Sequence, residues 1–219
     1  RTRRPGRLLA VGSILHLARD GDTTWGTGKN GKTSDAAHRW TTLDVRATRG
    51  PLTRRWLADR GVGAPAVYGD PGLLVPTVFP EFAATVNPRS RGESIVPNLH
   101  DAPAWRRAPG FVDPTTKLWD CIRAIAESDH VIASSLHGLI IADAFNVPAS
   151  LLAPGAEDTF KYRDYYEGTG RDLPHMSRSL EEARKNPAPP LSGWSPDALL
   201  AAFPADLWAT DRAFPRRNP

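Results

Sequence analysis

The strongest constraint on the fold lies between residues 118 and 152, where apolar segments alternate between helical and strand-like lengths. Residues 118–126 have helical spacing and 131–133 form a short apolar strand. Residues 136–145 predict a helix that is apolar on nearly all sides, and 148–152 predict another strand. A helix without a polar face must be covered all round, and short strands without a polar face belong in a parallel sheet covered on both sides. The chain therefore reads as α/β. The same alternation is visible near the N-terminus. Residues 8–11 predict a strand ended by Gly12-Ser13, with 14–18 opening a β-α unit. Residues 41–45 predict a second strand, and 51–60 a helix with Leu52, Trp56 and Leu57 on one face and Gly61 as its stop. Residues 66–68 and 94–97 supply two more candidate strands. Between the first two units, Gly21, Gly26, Gly28 and Gly31 surround Trp25 in a polar stretch that reads as a loop tolerant of close ligand approach.

Several function classes lose support at this stage. Hydrophobic residues make up 40% and charged residues 24% of 219, a globular profile rather than a disordered one. Basic residues exceed acidic ones only 28 to 24, with no basic run interleaved by aromatics, so nucleic acid is not an expected partner. No apolar stretch approaches the roughly 20 residues that span a bilayer. Cys121 stands alone, which rules out an intramolecular disulfide and a cysteine metal site and fits a reducing cytoplasm. Neither a Gly-x-Ser-x-Gly elbow, a phosphate-binding P-loop nor a His-Glu-x-x-His pair occurs, and no metal is implied.

In an open parallel sheet, ligands bind beyond the carboxyl ends of the strands, where loops enter helix N-termini. Three segments are expected there. Ser134-Ser135-Leu136-His137-Gly138 joins a strand to the apolar helix. A serine cap would leave backbone N–H groups facing the crevice, and the helix dipole would favour an anion. The same dipole disfavours a positive charge on His137, suiting it to act as a base or a neutral donor. Arg49-Gly50-Pro51 forms a second such turn, with Pro51 at the first helical position and Arg49 projecting at the helix N-terminus as a second anion cradle. The third segment, residues 160–166, holds Lys161, Asp164 and Tyr165. Taken alone it reads more readily as a solvated turn than as a sugar grip. His100 and the Trp25 loop are further candidates of the same kind. The C-terminal stretch is Pro-rich, and Ser195-Pro196-Asp197 begins a helix predicted over 196–203.

In order along the chain, Arg49-Gly50-Pro51-Leu52-Thr53, Gly69-Asp70-Pro71, Ile95-Val96-Pro97-Asn98-Leu99-His100, Ser134-Ser135-Leu136-His137-Gly138 and Lys161-Tyr162-Arg163-Asp164-Tyr165 resemble the polysaccharide pyruvyltransferase family. Each motif is weak by itself. Their order and spacing over most of residues 8–166 make the set specific.

The resemblance implies a bacterial transferase that moves a pyruvyl group from phosphoenolpyruvate to a sugar of an exopolysaccharide or cell-wall glycan and leaves a cyclic ketal. Phosphoenolpyruvate would be a co-substrate, with no separate cofactor. The implied fold is glycosyltransferase-B-like, with two Rossmann-like lobes. Residues 1–90 would form the N-terminal lobe, 91–186 the C-terminal lobe with the donor site, and 187–219 a Pro-rich linker and helical tail. The resemblance assigns the essential histidine to His137 and a donor-binding arginine to Arg49. Ser134, Ser135 and Gly138 are expected to join Arg49 on the donor, and Lys161, Asp164, Tyr165, Trp25 and His100 to meet the acceptor. His137 would either protonate the enol carbon or take the proton of the attacking hydroxyl.

Family members commonly carry an arginine two residues before that histidine, where this chain has Ser135, and a further β-α segment before the first strand. The N-terminal lobe is accordingly expected to be incomplete. The expected setting is the cytoplasm, with Arg1-Thr2-Arg3-Arg4 either touching an anionic membrane that carries a lipid-linked acceptor or fraying into solvent. A nucleotide-sugar glycosyltransferase and a non-catalytic relative remain alternatives.

Overall fold

The computed structural model describes residues 7–207, so the basic segment Arg1-Thr2-Arg3-Arg4 lies outside the described residues. Two parallel three-stranded sheets, each flanked by helices, make up the molecule, an α/β arrangement consistent with two Rossmann-like lobes. The first sheet contains β1 (Leu8–Leu9), β2 (Thr23–Trp25) and β3 (Asp44–Ala47), in that order. The second contains β4 (Glu93–Val96), β5 (His130–Ala133) and β6 (Ala149–Leu151), also in sequence order. The α-helices are α1 (Pro51–Asp59), α2 (Val75–Val78), α3 (Pro80–Ala83), α4 (Ala102–Trp105), α5 (Leu118–Ala126), α6 (Leu136–Ala144), α7 (Phe160–Gly168), α8 (Leu180–Lys185) and α9 (Asp197–Ala201).

The second lobe follows the sequence closely. α5 forms over its predicted span, β5 and β6 form within a residue of theirs, and α6 buries residues on every side. Leu139, Ile140, Val131, Ala133 and Leu151 share one core with Tyr162, Tyr165 and Tyr166 of α7. Register runs Ser94 to Val131 to Ala149, which brings the carboxyl ends of β4 and β5 to one edge, directly below the N-terminus of α6.

The first lobe corrects three expectations. The glycine-rich stretch holds β2, whose three residues are all buried between β1 and β3. Residues 14–18 form one 3-10 turn, Leu15–Leu17, with no side-chain cap, within the connection from β1 to β2. Residues 66–68 contribute an isolated parallel bridge between Thr48 and Tyr68 rather than a strand.

Two further segments depart from expectation. Residues 160–166, read as a solvated turn, are the body of α7, with Tyr162, Asp164, Tyr165 and Tyr166 buried. The C-terminal helix begins one residue later than predicted, at Asp197, and returns to the first lobe. Its Leu199 packs with Trp25, Ala47 and Leu74, and the Leu199 carbonyl accepts from the Trp25 indole N–H at 2.8 Å. No helix among the described residues is long and apolar enough to cross a membrane.

Candidate functional site

A cleft of about 300 Å³ opens where the two sheets' loops meet, lined by Ser13, Asn30 and Lys32 from the first lobe and by Asn98, His100, Ser135, His137, Glu157 and Lys161 from the second. The N-terminus of α6 forms its floor. Ser135 is the N-cap: its backbone is extended and its Oγ accepts from the Gly138 N–H at 3.2 Å, leaving other first-turn N–H groups for a ligand. Ser134 points away from the cleft. It is fully buried, its hydroxyl donates to Asp101 Oδ2 at 2.7 Å, and its Oγ accepts from the Asn98 backbone N–H at 3.1 Å. The Tyr162 hydroxyl donates to the Ser134 carbonyl at 2.7 Å, so α7 pins the turn from beneath. Ser134, expected on the donor, bonds here to the loop at 98–101. Gly138 packs where a Cβ would meet Val96 and Ala133, which lets α6 lie close on the sheet.

His137 stands in the first turn of α6 with 45% of its side chain exposed. Its Nε2 faces inward, buried and without a hydrogen-bond partner, 3.7 Å from Asp70 Oδ2. That oxygen is also buried without a partner, on a residue only 1% exposed. The other carboxylate oxygen, Oδ1, accepts from the Gly72 N–H at 2.9 Å. Gly69 makes this turn possible by adopting φ +145°, a conformation that L side chains avoid. Gly69-Asp70-Pro71 entered the sequence reading as one motif of the family resemblance, and its carboxylate was not singled out. An acid in a Gly-Asp-Pro-Gly turn gives no sign of what it faces across the fold.

On the opposite wall, Glu157 Oε1 accepts from Lys32 Nζ at 2.5 Å and Oε2 from Lys161 Nζ at 2.7 Å. Burial pushes the Glu157 carboxyl up, but the hydrogen bonds from the two lysines outweigh it and hold the group below the usual carboxylate range. Burial pushes the Lys161 ammonium down, and Glu157 opposes this only in part. His100 Nε2 lies 3.5 Å from Lys32 Nζ. Two ammonium groups facing one carboxylate leave one unit of positive charge beside the positive end of α6, an arrangement that attracts an anion. Lys32 escaped sequence reasoning as one lysine in a glycine-rich loop. Only the fold brings it across to Glu157.

Arg49 and Asp164, expected on the donor and the acceptor, hold each other. Both side chains are completely buried, and the guanidinium lies 2.8 Å from Asp164 Oδ2 through Nη2 and 3.0 Å through Nε. Its remaining donors go to Ser13 Oγ at 2.5 Å and the Lys29 carbonyl at 2.7 Å. Asp164 also accepts from the Thr53 N–H at 2.9 Å and from its hydroxyl at 2.7 Å. The anion cradle at the N-terminus of α1 is therefore filled by the chain's own carboxylate, supplied from α7 because the N-cap Gly50 has no side chain. Gly28 and Gly50 permit the approach: a Cβ on either would strike the guanidinium or the Asp164 carbonyl. Tyr165 is buried, donating its hydroxyl to Asp143 at 2.6 Å, and Trp25 is buried under α9. Of the expected site residues, the cleft collects Ser135, His137, Lys161 and His100 and leaves Arg49, Ser134, Asp164, Tyr165 and Trp25 behind its walls.

Residues 29–155, which carry much of both cleft walls, match the family model described as polysaccharide pyruvyl transferase, over more than half of the chain. The chain belongs to the polysaccharide pyruvyl transferase family. It is also 35% identical over 135 residues to the succinoglycan biosynthesis protein ExoV of Rhizobium meliloti (strain 1021), a match covering 58% of this chain and 41% of that protein. The chain thus spans less than half the length of that relative. Lys32, Asp70, Asn98, His100 and His137 all fall within the matched span, while Glu157 and Lys161 lie just beyond it.

Proposed function

We propose that this protein transfers a pyruvyl group from phosphoenolpyruvate to two hydroxyls of a sugar in an exopolysaccharide or cell-wall glycan, forming a cyclic ketal and releasing phosphate. Family membership and the likeness to a succinoglycan biosynthesis protein support the reaction class. The observation that carries the reading is the cleft that His137, Lys32 and Lys161 line together at the N-terminus of α6. Phosphoenolpyruvate carries a phosphate and a carboxylate on adjacent groups, and a site for it must offset their repulsion. Lys32, Lys161 and the free N–H groups after Ser135 take that part, which the buried Arg49 and Ser134 cannot take without breaking their internal bonds.

Proton bookkeeping then assigns His137. The first sugar hydroxyl forms a C–O bond to the middle carbon while the methylene carbon gains a proton and becomes methyl. Phosphate next leaves as its C–O bond breaks, and the second hydroxyl closes the ketal. Two hydroxyl protons are lost, one ending on carbon and one on phosphate. With Nε2 buried, Nδ1 is the His137 nitrogen open to the cleft, and it carries the proton between hydroxyl and methylene carbon.

The test is phosphate release from phosphoenolpyruvate, together with the mass gain of one ketal, across a panel of polysaccharide repeat units. We expect both with the wild type and neither with His137→Ala, whose thermal transition should match the wild type. An equally active His137→Ala variant, or stabilisation by nucleotide sugars and not by phosphoenolpyruvate in thermal-shift assays, would overturn the reading.

A further inference from the structure

We infer that Asp70 is the positioning residue of His137: its unpartnered oxygen fixes the imidazole with hydrogen on Nε2, so that Nδ1 is the working nitrogen. The inference rests on the proposed proton-transfer role of His137 for its kinetic consequence, but not for its structural content.

Two buried polar atoms without partners are unusual in a folded protein, because each forfeits its hydrogen bonds to water. Here the two face each other. Asp70 Oδ2 and His137 Nε2 are both buried, both unpaired, and 3.7 Å apart. An approach of about 0.8 Å brings them to ordinary N–H···O length. That approach satisfies both groups at once, and a carboxylate oxygen can only accept, so the hydrogen must sit on Nε2.

Asp70 is held firmly enough to impose this choice. It opens the 3-10 turn Pro71–Leu74, its Oδ1 is committed to the Gly72 N–H, and that turn packs against α6 through Gly72, which abuts Ile140. The carboxylate therefore has one free oxygen and one direction. Asp70 does not line the cleft and reaches it through His137, which does.

The commitment of Oδ1 makes the substitution Asp70→Asn decisive. The side-chain oxygen of the asparagine stays on the Gly72 N–H, and the amide NH2 is turned to Nε2. The ring is then driven to accept at Nε2 and to carry its hydrogen on Nδ1, the wrong tautomer for taking a proton from the cleft. An aspartate-to-asparagine change behind a catalytic histidine elsewhere inverts the tautomer and costs about 10,000-fold in turnover. For Asp70→Asn we expect a fall in kcat of about 100- to 10,000-fold with the KM for phosphoenolpyruvate changed less than about threefold.

The readout that a merely structural role would not move is the tautomer. Nitrogen NMR of imidazole-labelled protein, with His137 assigned by difference against His137→Gln, should show Nε2 protonated in the wild type and Nδ1 protonated in Asp70→Asn. An Nδ1–H tautomer in the wild type overturns the inference even if the variant fails to fold. So does an Asp70→Asn protein with unchanged tautomer or unchanged kcat. If the wild type releases no phosphate from phosphoenolpyruvate with any glycan, the proposed reaction fails, and the tautomer measurement alone decides the role of Asp70.

Discussion

At the scale of single residues, the cleft depends on charges that reach it from both lobes. Each lysine that grips an anionic ligand through a charge-assisted hydrogen bond contributes about 1.5–3 kcal/mol, so Lys32→Met and Lys161→Met should each weaken phosphoenolpyruvate binding roughly 10- to 100-fold by calorimetry. Lys161 adds a pH signature. Its ammonium is held below the usual lysine range by burial. The binding-competent charged form is present below that lowered value and lost above it. Affinity should decline as pH rises toward, but before reaching, the ordinary lysine range, and Lys161→Met should bind weakly at every pH without that decline. Sequence reading found His137 and Lys161 through a helix N-terminus and a resemblance. It missed Lys32 and Asp70, whose importance comes from what stands opposite them after folding. It assigned ligands to Arg49 and Asp164, residue types that serve a buried internal pair just as well.

Elements show where periodicity is informative. α5, β5, α6 and β6 were legible because their apolar residues recur at helical or strand spacing and pack into one core. β2 was hidden because a three-residue Thr-Thr-Trp strand between glycines carries no repeat long enough to read. α7 was hidden for a different reason. Its buried face consists of three tyrosines and an aspartate, polar enough to read as surface, but inside Tyr162 donates to Ser134, Tyr165 donates to Asp143 and Asp164 pairs with Arg49. Close approach between elements gives a test. In Gly138→Ala the new Cβ would sit against Val96 and Ala133 under α6. Overpacking of this kind costs about 1–3 kcal/mol, to be read from urea unfolding, and it should lower turnover more than stability alone explains, because it tilts the turn that carries His137.

For the whole molecule, the Arg49–Asp164 pair and the return of α9 tie the two sheets together. Removing one partner from a buried ion pair costs about 3–5 kcal/mol, since the other is left as an uncompensated charge. Arg49→Met and Asp164→Asn should each lower the unfolding free energy by an amount in that range, with loss of the cleft as a consequence. Leu199→Ala, which empties a fully buried position between α9 and the first sheet, should cost about 2–4 kcal/mol in the same assay. Neither effect depends on phosphoenolpyruvate, so both separate architecture from chemistry. The α/β class could be read from the alternation of segments, and the division into two sheets only from the family resemblance. The long-range ties could not, because nothing local in a sequence marks partners 115 residues apart.

That separation also sets an order of events during synthesis. Arg49 emerges from the ribosome long before Asp164, and until α7 arrives its guanidinium has no carboxylate to meet and stays in water. Thr53 waits with it, so the first turn of α1 lacks the carboxylate that its N–H and hydroxyl meet in the folded protein. A nascent chain halted before residue 164 would carry β1, β2 and β3 with the N-terminal wall of the cleft still open.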